Sequence, residues 1–368
     1  DELLARRQRQ QAAVAEGESG EQIERDGGQS VAATDPTPAT LGALAWIGTG
    51  IAVIVSFGWV DTARLATAEE APGAVVLLKA RAAQDSTDWA AVASVDRMRP
   101  SPLDDDDPPV YDSGECVPDP FETRNASCEF GDLDSDQTVV LVGDSKAAQW
   151  YSPVKRIAEE SGWRMVFITK GACEFADVVR PVEGKANAAC DEWSQWALDQ
   201  VLAEEPDVVL TVTRWGRALR PGDDLSTEQS RDAMVDGLVS HWEAVIDGGA
   251  LLVPLIDTPG PRGGKMPECV QANLEKLTEC VYRLDEVFEL TGAPAQRAAA
   301  EAVPAARPVD LTEFVCPDGV LCPPVIGNVL VYRSGTHLSD TYARTLTPIL
   351  SDRLFVVTKG ELGAPLSP

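Results

Sequence analysis

Ser145 and His337 are the residues whose type and setting indicate nucleophilic chemistry in this chain. The apolar run Thr138–Leu141 leads through Val-Gly-Asp into Ser145, a pattern that predicts a strand, a tight turn and the start of a helix. The Ser145 hydroxyl then lies at the carboxyl end of a strand, where backbone N–H groups can stabilise an oxyanion. The chain holds only two histidines, and His337 follows far downstream in Ser-Gly-Thr-His-Leu-Ser. This combination predicts an acyl-transfer site.

The residues from Thr138 onward alternate between short apolar runs and longer amphipathic segments. Strands are predicted at Thr138–Val142, Arg164–Thr169, Asp207–Val212, Leu251–Ile256 and Val329–Tyr332. Helices are predicted at Ala147–Ser161, Asp191–Glu204, Ser226–Ile246, Pro267–Leu290 and Ser339–Asp352. Strands separated by helices indicate an α/β fold with a doubly wound parallel sheet flanked by helices. The residues that closely follow predicted strands, and so converge on one crevice, are Ser145, Gly171, Arg214, Asp257 and His337.

The chain of 368 residues is strongly acidic, with a net charge of −28 at pH 7 and a pI near 4.3. This balance argues against nucleic acid as a partner, because phosphate contacts need clusters of Lys and Arg. The acidity instead indicates a solvated surface. Apolar residues make up 44% of the chain, which suffices for a sizeable core.

Eight cysteines fall into four pairs of close neighbours in the sequence. No Cys-x-x-Cys motif is present and histidines are scarce, so a zinc site is disfavoured, and no other metal or cofactor is indicated. The even number indicates disulfides formed in an oxidising compartment. Many connectivities are open, and proximity alone favours the pairs Cys116–Cys128, Cys173–Cys190, Cys269–Cys280 and Cys316–Cys322.

Residues 41–60 form an uncharged apolar stretch that is long enough for a helix to span a membrane. Arginines precede this stretch and acidic residues follow it, which predicts a cytoplasmic N-terminus and a single pass through the cell membrane. The cysteines all follow the stretch, in agreement with an extracytoplasmic domain. The predicted segments are a polar cytoplasmic segment (1–40), the membrane helix (41–60), a linker (61–115), the globular domain (116–357) and a tail (358–368).

Several segments, taken in order, resemble one protein family. They are Val139–Ser145, Ala147–Trp150, Thr169–Cys173, Asp257–Pro259, Val325–Arg333 and His337–Ser339 with Thr341–Ala343. They resemble the SGNH (GDSL-like) hydrolases, in particular the extracytoplasmic SGNH domain fused behind the membrane domain of acyltransferase-3 proteins, which O-acetylate surface polysaccharides. The resemblance implies Ser145 as the nucleophile and His337 as the general base. It also implies the backbone N–H groups of Ser145 and Gly171 as oxyanion donors.

The acid of the family pattern is missing in this chain. SGNH enzymes carry Asp-x-x-His, in which the Asp orients the imidazole, and the corresponding position here is Ser334. A serine hydroxyl accepts a hydrogen bond from the ring but cannot stabilise an imidazolium as a carboxylate does. Three interpretations stay open: a slower dyad of Ser145 and His337, orientation of the histidine by another acid such as Asp257, or loss of catalysis.

Two further positions depart from the family. Lys146 stands where related domains usually carry His, and it either adds positive charge that favours an oxyanion or an acidic glycan, or points to solvent. The family's third oxyanion donor is the Asn of Gly-x-Asn, but the matching stretch reads Thr-Val-Thr-Arg-Trp-Gly. Thr213 or Arg214 could take that role, and the candidate substrate contacts are Lys146, Arg214 and Trp215. Asn328, in Ile-Gly-Asn, is expected to be structural.

The resemblance implies a membrane O-acyltransferase. In this hypothesis the domain receives an acetyl group from a membrane acyltransferase domain, holds it on Ser145 and passes it to a hydroxyl of a cell-surface polysaccharide. Two alternatives remain: a degenerate SGNH domain that binds glycans without catalysis, and a carbohydrate O-acetylesterase that uses the same acyl-enzyme. None of these functions implies a cofactor.

Overall fold

The structure, a computed structural model, describes residues 64–82, 95–179, 187–218, 227–360 and 365–366. The predicted cytoplasmic segment and the predicted membrane helix lie outside these residues. Within them, no helix combines the length and the apolar character needed to cross a membrane. All the described residues belong to one unit of the chain, Asp61–Pro368.

Strands and helices alternate along most of the described chain. The strands are β1 (Arg64–Leu65), β2 (Arg97–Met98), β3 (Cys128–Gly131), β4 (Thr138–Gly143), β5 (Arg164–Thr169), β6 (Val208–Val212), β7 (Leu251–Pro254), β8 (Tyr282–Arg283), β9 (Leu321–Cys322), β10 (Val325–Ile326) and β11 (Val329–Leu330). The α-helices are α1 (Val75–Ala82), α2 (Ser145–Ala148), α3 (Tyr151–Ser161), α4 (Ala188–Ala203), α5 (Thr227–Asp247), α6 (Met266–Ala272), α7 (Leu284–Val287), α8 (Ala293–Ala302), α9 (Asp340–Thr345) and α10 (Thr347–Val357).

Five of these strands form the central sheet, in the order β3-β5-β4-β6-β7. Strands β5, β4, β6 and β7 run parallel, and β3 pairs antiparallel with β5 at one edge. All six residues of β4 are buried, and an apolar cluster lies on each face of the sheet, as expected for a parallel sheet covered by helices on both faces. The predicted doubly wound α/β fold is therefore confirmed, with one antiparallel strand added to four parallel ones.

The predicted strand Val329–Tyr332 is not part of the central sheet. Its first two residues form β11, which pairs antiparallel with β10 in a small hairpin. Gly327 and Asn328 make the turn with φ values of 52° and 59°, the left-handed values that a two-residue type I′ turn needs. A short buried apolar run has the same sequence pattern in such a hairpin as in a central strand. The pattern alone therefore does not distinguish the two kinds of strand.

Two predicted helices exist but are divided. The segment Ala147–Ser161 covers the end of α2 and all of α3, and Ser339–Asp352 covers α9 and the beginning of α10. Pro153 and Pro348 lie in the first turns of the second helix in each segment. A proline ring clashes with the carbonyl four residues before it and lacks an N–H, so neither helix continues through the preceding turn.

The predicted helix Pro267–Leu290 is wrong. Helix α6 ends at Ala272, and a 3-10 turn, β8 and α7 follow it. The disulfide Cys269–Cys280 joins positions 11 residues apart with Cα atoms 5.8 Å from each other, whereas a continuous helix would separate them by about 16 Å. Helix α8, which no predicted helix covers, packs against α5.

The described parts of the predicted linker, 61–115, pack onto the domain. Leu77 and Met98 are buried in the same apolar cluster as residues of β4. The Asp106 carboxylate accepts hydrogen bonds from the backbone N–H of Thr341 at 2.7 Å and from its hydroxyl at 3.1 Å, in the first turn of α9. These stretches differ from the expected linker, because they supply core side chains and a helix cap.

The structure confirms the four disulfides that proximity favoured. The Cα–Cα distances are between 4.2 and 5.8 Å, and the bonded residues are 6 to 17 positions apart in the sequence. The described part of the chain contains no free cysteine. Each bond therefore closes a short local loop.

Candidate active site

The turn that carries Ser145 is fixed by contacts to β6. Gly143 has a φ of 148°, and a Cβ there would lie 2.4 Å from a backbone carbonyl oxygen of β6, so only glycine fits. The buried Asp144 carboxylate accepts hydrogen bonds from the backbone N–H groups of Lys146 (2.7 Å) and Arg214 (2.8 Å). It thereby caps α2 and joins it to the end of β6. Burial raises the pKa of Asp144 to about 7.

His337 lies directly beside Ser145. Its Nε2 is 2.8 Å from Ser145 Oγ, a hydrogen-bond distance. The other ring nitrogen, Nδ1, is 3.3 Å from the backbone carbonyl oxygen of Ser334. Because a carbonyl oxygen only accepts, Nδ1 is assigned the proton, and Nε2 is left to accept the proton of the Ser145 hydroxyl. The structure thus brings together the two residues that the sequence suggested as nucleophile and base.

The surroundings of His337 favour the neutral imidazole. Burial holds the pKa of His337 well below 6.5, and the cations Lys146, Arg333 and Arg214 act in the same direction, while the Ser334 carbonyl opposes them. A neutral ring can take up the serine proton at pH 7. The same cations disfavour the imidazolium that then forms, so His337 is unprotonated at pH 7 but has a low affinity for the serine proton.

Asp257 does not lie at the outer nitrogen of His337. Its carboxylate forms a buried ion pair with Lys146, with 3.0 Å between Nζ and Oδ1, and accepts the backbone N–H of Gly292 at 3.1 Å. Burial raises the pKa of Asp257, and the Lys146 charge opposes this shift. The hypothesis that Asp257 orients the histidine directly is therefore corrected, because its partner is the lysine.

Lys146 is completely buried and points into the protein. Besides the ion pair with Asp257, its ammonium group donates to the carbonyl oxygens of Thr258 (3.0 Å) and Thr336 (2.7 Å). Neither interpretation from the sequence, as a substrate contact or as a solvent-facing residue, describes this position. A first-turn lysine normally reaches water, but here two carbonyl oxygens and one carboxylate compensate its charge inside the protein.

The expected oxyanion donors are only partly available. Ser145 is the first residue of α2, so its backbone N–H has no acceptor within the helix. The Gly171 N–H, in contrast, donates to the carbonyl oxygen of Pro118 at 3.3 Å, which removes it as a ready donor. Thr213, directly after β6, is buried, and its hydroxyl has no hydrogen-bond partner among the described residues. It remains a candidate for the missing third donor.

Arg214 and Trp215 follow β6 at the sheet edge that also carries Ser145. Both are half-buried, and the Arg214 guanidinium carbon lies 4.6 Å from the centre of the Trp215 ring. They remain candidate substrate contacts. Asn328 has a different place, because its side chain donates to the carbonyl oxygen of Glu70 at 2.8 Å, in keeping with the structural role expected for it.

Gln149 holds the loop that carries His337, although it was not predicted as a site residue. Its Oε1 accepts the backbone N–H of Leu338 at 2.8 Å, and its Nε2 donates to the Thr258 hydroxyl at 3.3 Å. Gln149 is four positions after Ser145, the spacing that places two side chains on one helix face. That spacing is the signal by which the sequence could have indicated it.

Arg333 is a second residue at the site that sequence reasoning missed. It is almost completely buried beside the His337 loop, its guanidinium pairs with the Asp107 carboxylate, and it lies 5.7 Å from the centre of the Tyr111 ring. Its partners precede it by more than 200 residues. No local pattern in the sequence indicates contacts over such a distance.

These features define an α/β domain with a serine and a histidine in contact at the carboxyl edge of its sheet. A family model described as an SGNH domain fused to AT3 domains matches residues 115–352. The chain belongs to this SGNH family, which confirms the resemblance and supports an enzyme that transfers or hydrolyses acyl groups. No match was found among curated proteins.

Two solved structures are similar in fold at low sequence identity. One is a lipopolysaccharide acetyltransferase periplasmic domain from Salmonella ser. Paratyphi A, with 13% identity and a TM-score of 0.45 over 61% of this chain and 85% of that one. The other is a protein from Bacteroides fragilis described as an acylhydrolase, with 12% identity and a TM-score of 0.37 over 62% and 90%. Similarity at this level assigns neither substrate nor reaction to this chain.

Proposed function

We propose that this chain transfers an acyl group, specifically acetyl, to a hydroxyl of a cell-surface polysaccharide through an ester on Ser145. The observation that carries the proposal is the distance of 2.8 Å between Ser145 Oγ and His337 Nε2. A serine hydroxyl beside a proton-accepting imidazole is the arrangement that activates this nucleophile. Membership of an SGNH family fused to AT3 domains supports acyl transfer as the type of reaction.

The proposed reaction has two steps. In the first, Ser145 Oγ attacks the carbonyl carbon of the acyl donor while His337 Nε2 takes the serine proton. The Ser145 backbone N–H stabilises the oxyanion, and His337 returns the proton to the leaving group. In the second, His337 removes the proton from the acceptor hydroxyl, whose oxygen attacks the ester. Ser145 Oγ then leaves and recovers that proton.

The proposed partners are a glycan acceptor and a membrane acyltransferase domain that supplies the acyl group. The AT3 fusion typical of the family supports such a membrane partner. Four disulfides support an oxidising, extracytoplasmic compartment for the domain. The apolar stretch at 41–60 would then anchor the chain in the cell membrane with a single pass.

A second candidate function is glycan binding without catalysis. Two observations favour it: the outer nitrogen of His337 faces the backbone carbonyl of Ser334 instead of a carboxylate, and the Gly171 N–H is bonded to Pro118. A carbohydrate O-acetylesterase is a variant of the first proposal, because it differs only in whether water or a sugar hydroxyl attacks the ester.

The test is hydrolysis of p-nitrophenyl acetate by the full chain, compared with the variants Ser145→Ala and His337→Asn. We expect both substitutions to reduce nitrophenol release to the rate without protein, because each removes one half of the nucleophile–base pair. Mass spectrometry of the rapidly quenched wild type should find acetyl on Ser145. Addition of a sugar acceptor that accelerates loss of this acetyl identifies a transferase, and acceptor-independent loss identifies an esterase.

The control is a second Ser–His contact in the same chain. Ser194 Oγ lies 3.2 Å from His241 Nε2, and both residues are buried on helices α4 and α5. Ser194→Ala should therefore retain wild-type hydrolysis, provided that the variant is folded. Equal rates for folded wild type and folded Ser145→Ala would refute the catalytic proposal and favour the glycan-binding candidate.

A further inference from the structure

The geometry points to Lys146, supported by Asp257, as the residue that positions His337 against Ser145. This inference deepens the proposed function and rests on it. The lysine side chain is fully buried, and its ammonium group is held by Thr258, Thr336 and Asp257, so we treat it as a positioning residue. It replaces the absent carboxylate at position 334 in one respect only, because it fixes the histidine without stabilising its protonated form.

Lys146 connects the nucleophile helix with the two loops around the site. It directly follows Ser145, and its Nζ donates at 2.7 Å to the carbonyl oxygen of Thr336, the residue directly before His337. It also donates at 3.0 Å to the carbonyl oxygen of Thr258, after β7. The side chain thus spans from the neighbour of the nucleophile to the neighbour of the base. Its length therefore sets where the imidazole lies relative to the serine hydroxyl.

The surroundings of Nζ match the charged form of Lys146. Nζ donates hydrogen bonds to the two carbonyl oxygens, and Oδ1 of Asp257 lies 3.0 Å away as its ion-pair partner. An ammonium group donates to both carbonyl oxygens and carries the charge that pairs with the carboxylate, whereas a neutral amine would lose the ion pair. Burial lowers the pKa of Lys146, and the Asp257 carboxylate opposes that shift. Asp257 is itself held by the Gly292 N–H at 3.1 Å.

The loop before His337 packs backbone to backbone on the loop after β7. The Gly335 N–H donates to the Gly264 carbonyl oxygen at 3.1 Å, and a Cβ on Gly264 would lie 2.7 Å from the Gly335 Cα. There is no room for a side chain between the two loops. Since Lys146 binds one carbonyl oxygen in each loop, the three parts form one support for the histidine.

The charge of Lys146 also acts on the imidazole. Three cations act on the His337 ring: Lys146, Arg214 after β6, and Arg333 on the loop that carries His337. Three carboxylates act on these cations in turn. Asp257 pairs with Lys146, Asp107 pairs with Arg333, and Asp144 also acts on Lys146. Burial and the three cations keep the pKa of His337 well below 6.5. Removal of the Lys146 charge should therefore raise that pKa by about one unit. A lysine that only filled space would leave it unchanged.

Three variants of the full chain separate the position of the histidine from its charge environment. Lys146→Met keeps the length of the side chain and removes its charge and hydrogen bonds. Lys146→Gln removes the charge and keeps an N–H donor. Lys146→Met with Asp257→Asn removes the ammonium group without leaving a lone buried carboxylate, which protects against loss of folding. Lys155→Met is the matched control, because Lys155 is a partly exposed lysine on α3 that pairs with Glu159.

The first readout is the NMR titration of His337, which does not depend on activity. Its signal is identified by its loss in His337→Asn, since His241 is the only other histidine. We expect the pKa of His337 to rise by about one unit in Lys146→Met and Lys146→Gln. It should rise less in the double variant, because the Asp257 charge is removed as well, and stay constant in Lys155→Met. The second readout is the pH profile of p-nitrophenyl acetate hydrolysis. Activity should be lost at a higher pH than in wild type, by the same shift as the pKa of His337.

The kinetic constants separate positioning from charge. In Lys146→Met the kcat at pH 8 should fall about 10- to 100-fold with little change in KM, because the histidine is no longer held in place. Lys146→Gln should recover part of the kcat without recovering the low pKa of His337. An unchanged titration and an unchanged kcat in folded Lys146→Met would overturn the inference.

The test of Lys146 can fail or succeed independently of the test of the proposed function. When the wild type itself shows no Ser145-dependent hydrolysis, the proposed function fails, and the titration alone then decides. A raised pKa of His337 in folded Lys146→Met supports the placement of the lysine charge beside the histidine, and an unchanged pKa overturns it.

Discussion

Ser334→Asp should increase the activity of this site, because it places a carboxylate close to the outer nitrogen of His337. In the described residues, Nδ1 of the imidazole donates to the Ser334 carbonyl oxygen, over 3.3 Å. A neutral acceptor at that distance gives little stabilisation to the imidazolium that forms when Ser145 is deprotonated. A carboxylate within about 4–6 Å favours the charged ring and raises its pKa by about 1–3 units in buried settings.

The expected gain lies at the lower end of that range. The Ser334 side chain is exposed, so water screens the new charge. In addition, Arg333 Nη1 lies 3.4 Å from Ser334 Oγ and will compete with the imidazole for the carboxylate. We therefore expect the pKa of His337 to rise by about one unit, which corresponds to about 1.4 kcal/mol and a tenfold change in rate.

The assay is the pH dependence of kcat/KM for p-nitrophenyl acetate, with Ser334→Asn as the uncharged control of the same shape. The pKa of His337 starts well below 6.5, so the ring of the Asp variant remains neutral at pH 8 after a rise of one unit. At that pH the Asp variant should be about tenfold faster than wild type and Asn variant. At lower pH it should lose activity earlier, since protonation of the base sets in at higher pH. Equal rates for the Asp and Asn variants at pH 8 would refute this reasoning.

Two further substitutions test the support of the site. Gln149→Leu leaves the Leu338 N–H without its acceptor. The free energy of unfolding, measured in urea, should fall by about 1–3 kcal/mol, and hydrolysis of p-nitrophenyl acetate should slow. Gln149→Glu keeps an acceptor oxygen and should lose less stability and less activity. Gly292→Ala places a Cβ 1.8 Å from the Thr213 carbonyl oxygen, whereas Gly162→Ala meets no atom within 4 Å. Gly292→Ala should therefore lower the free energy of unfolding by more than about 3 kcal/mol, and the control Gly162→Ala should lower it by about 1–2 kcal/mol. Equal losses in the two variants would contradict the close packing at Gly292.

The fold was most predictable where local patterns and long-range structure agree. Strand β5 has the predicted bounds, and β4 differs by one residue, because unbroken apolar runs mark strands that are buried on both faces. The hairpin at Gly327 and the interrupted segment after α6 were not predicted. In both places a constraint outside the periodic pattern decides the structure: a left-handed turn in one and a disulfide in the other.

In the site, too, local patterns predicted some residues and long-range contacts decided the position of others. Ser145 and His337 were recognisable because each lies in a local motif with a preferred backbone geometry. The burial of Lys146 was not recognisable, since a lysine in a first helical turn normally reaches solvent. Its acceptors Thr258 and Thr336 lie more than 100 residues away in the sequence. A charge is stable in the interior only when such partners are assembled around it, and a single sequence does not show that assembly.

The packing of the stretch before the first disulfide changes where the minimal folding unit begins. A truncation at the start of the family match, residue 115, would remove Leu77 and Met98 from the apolar core and leave a gap in that cluster. It would also remove Asp107, the carboxylate partner of the buried Arg333. Expressed fragments intended for crystallisation or assay should therefore begin at or before Arg64, because a shorter one exposes core surface and unpairs a cation next to the histidine loop.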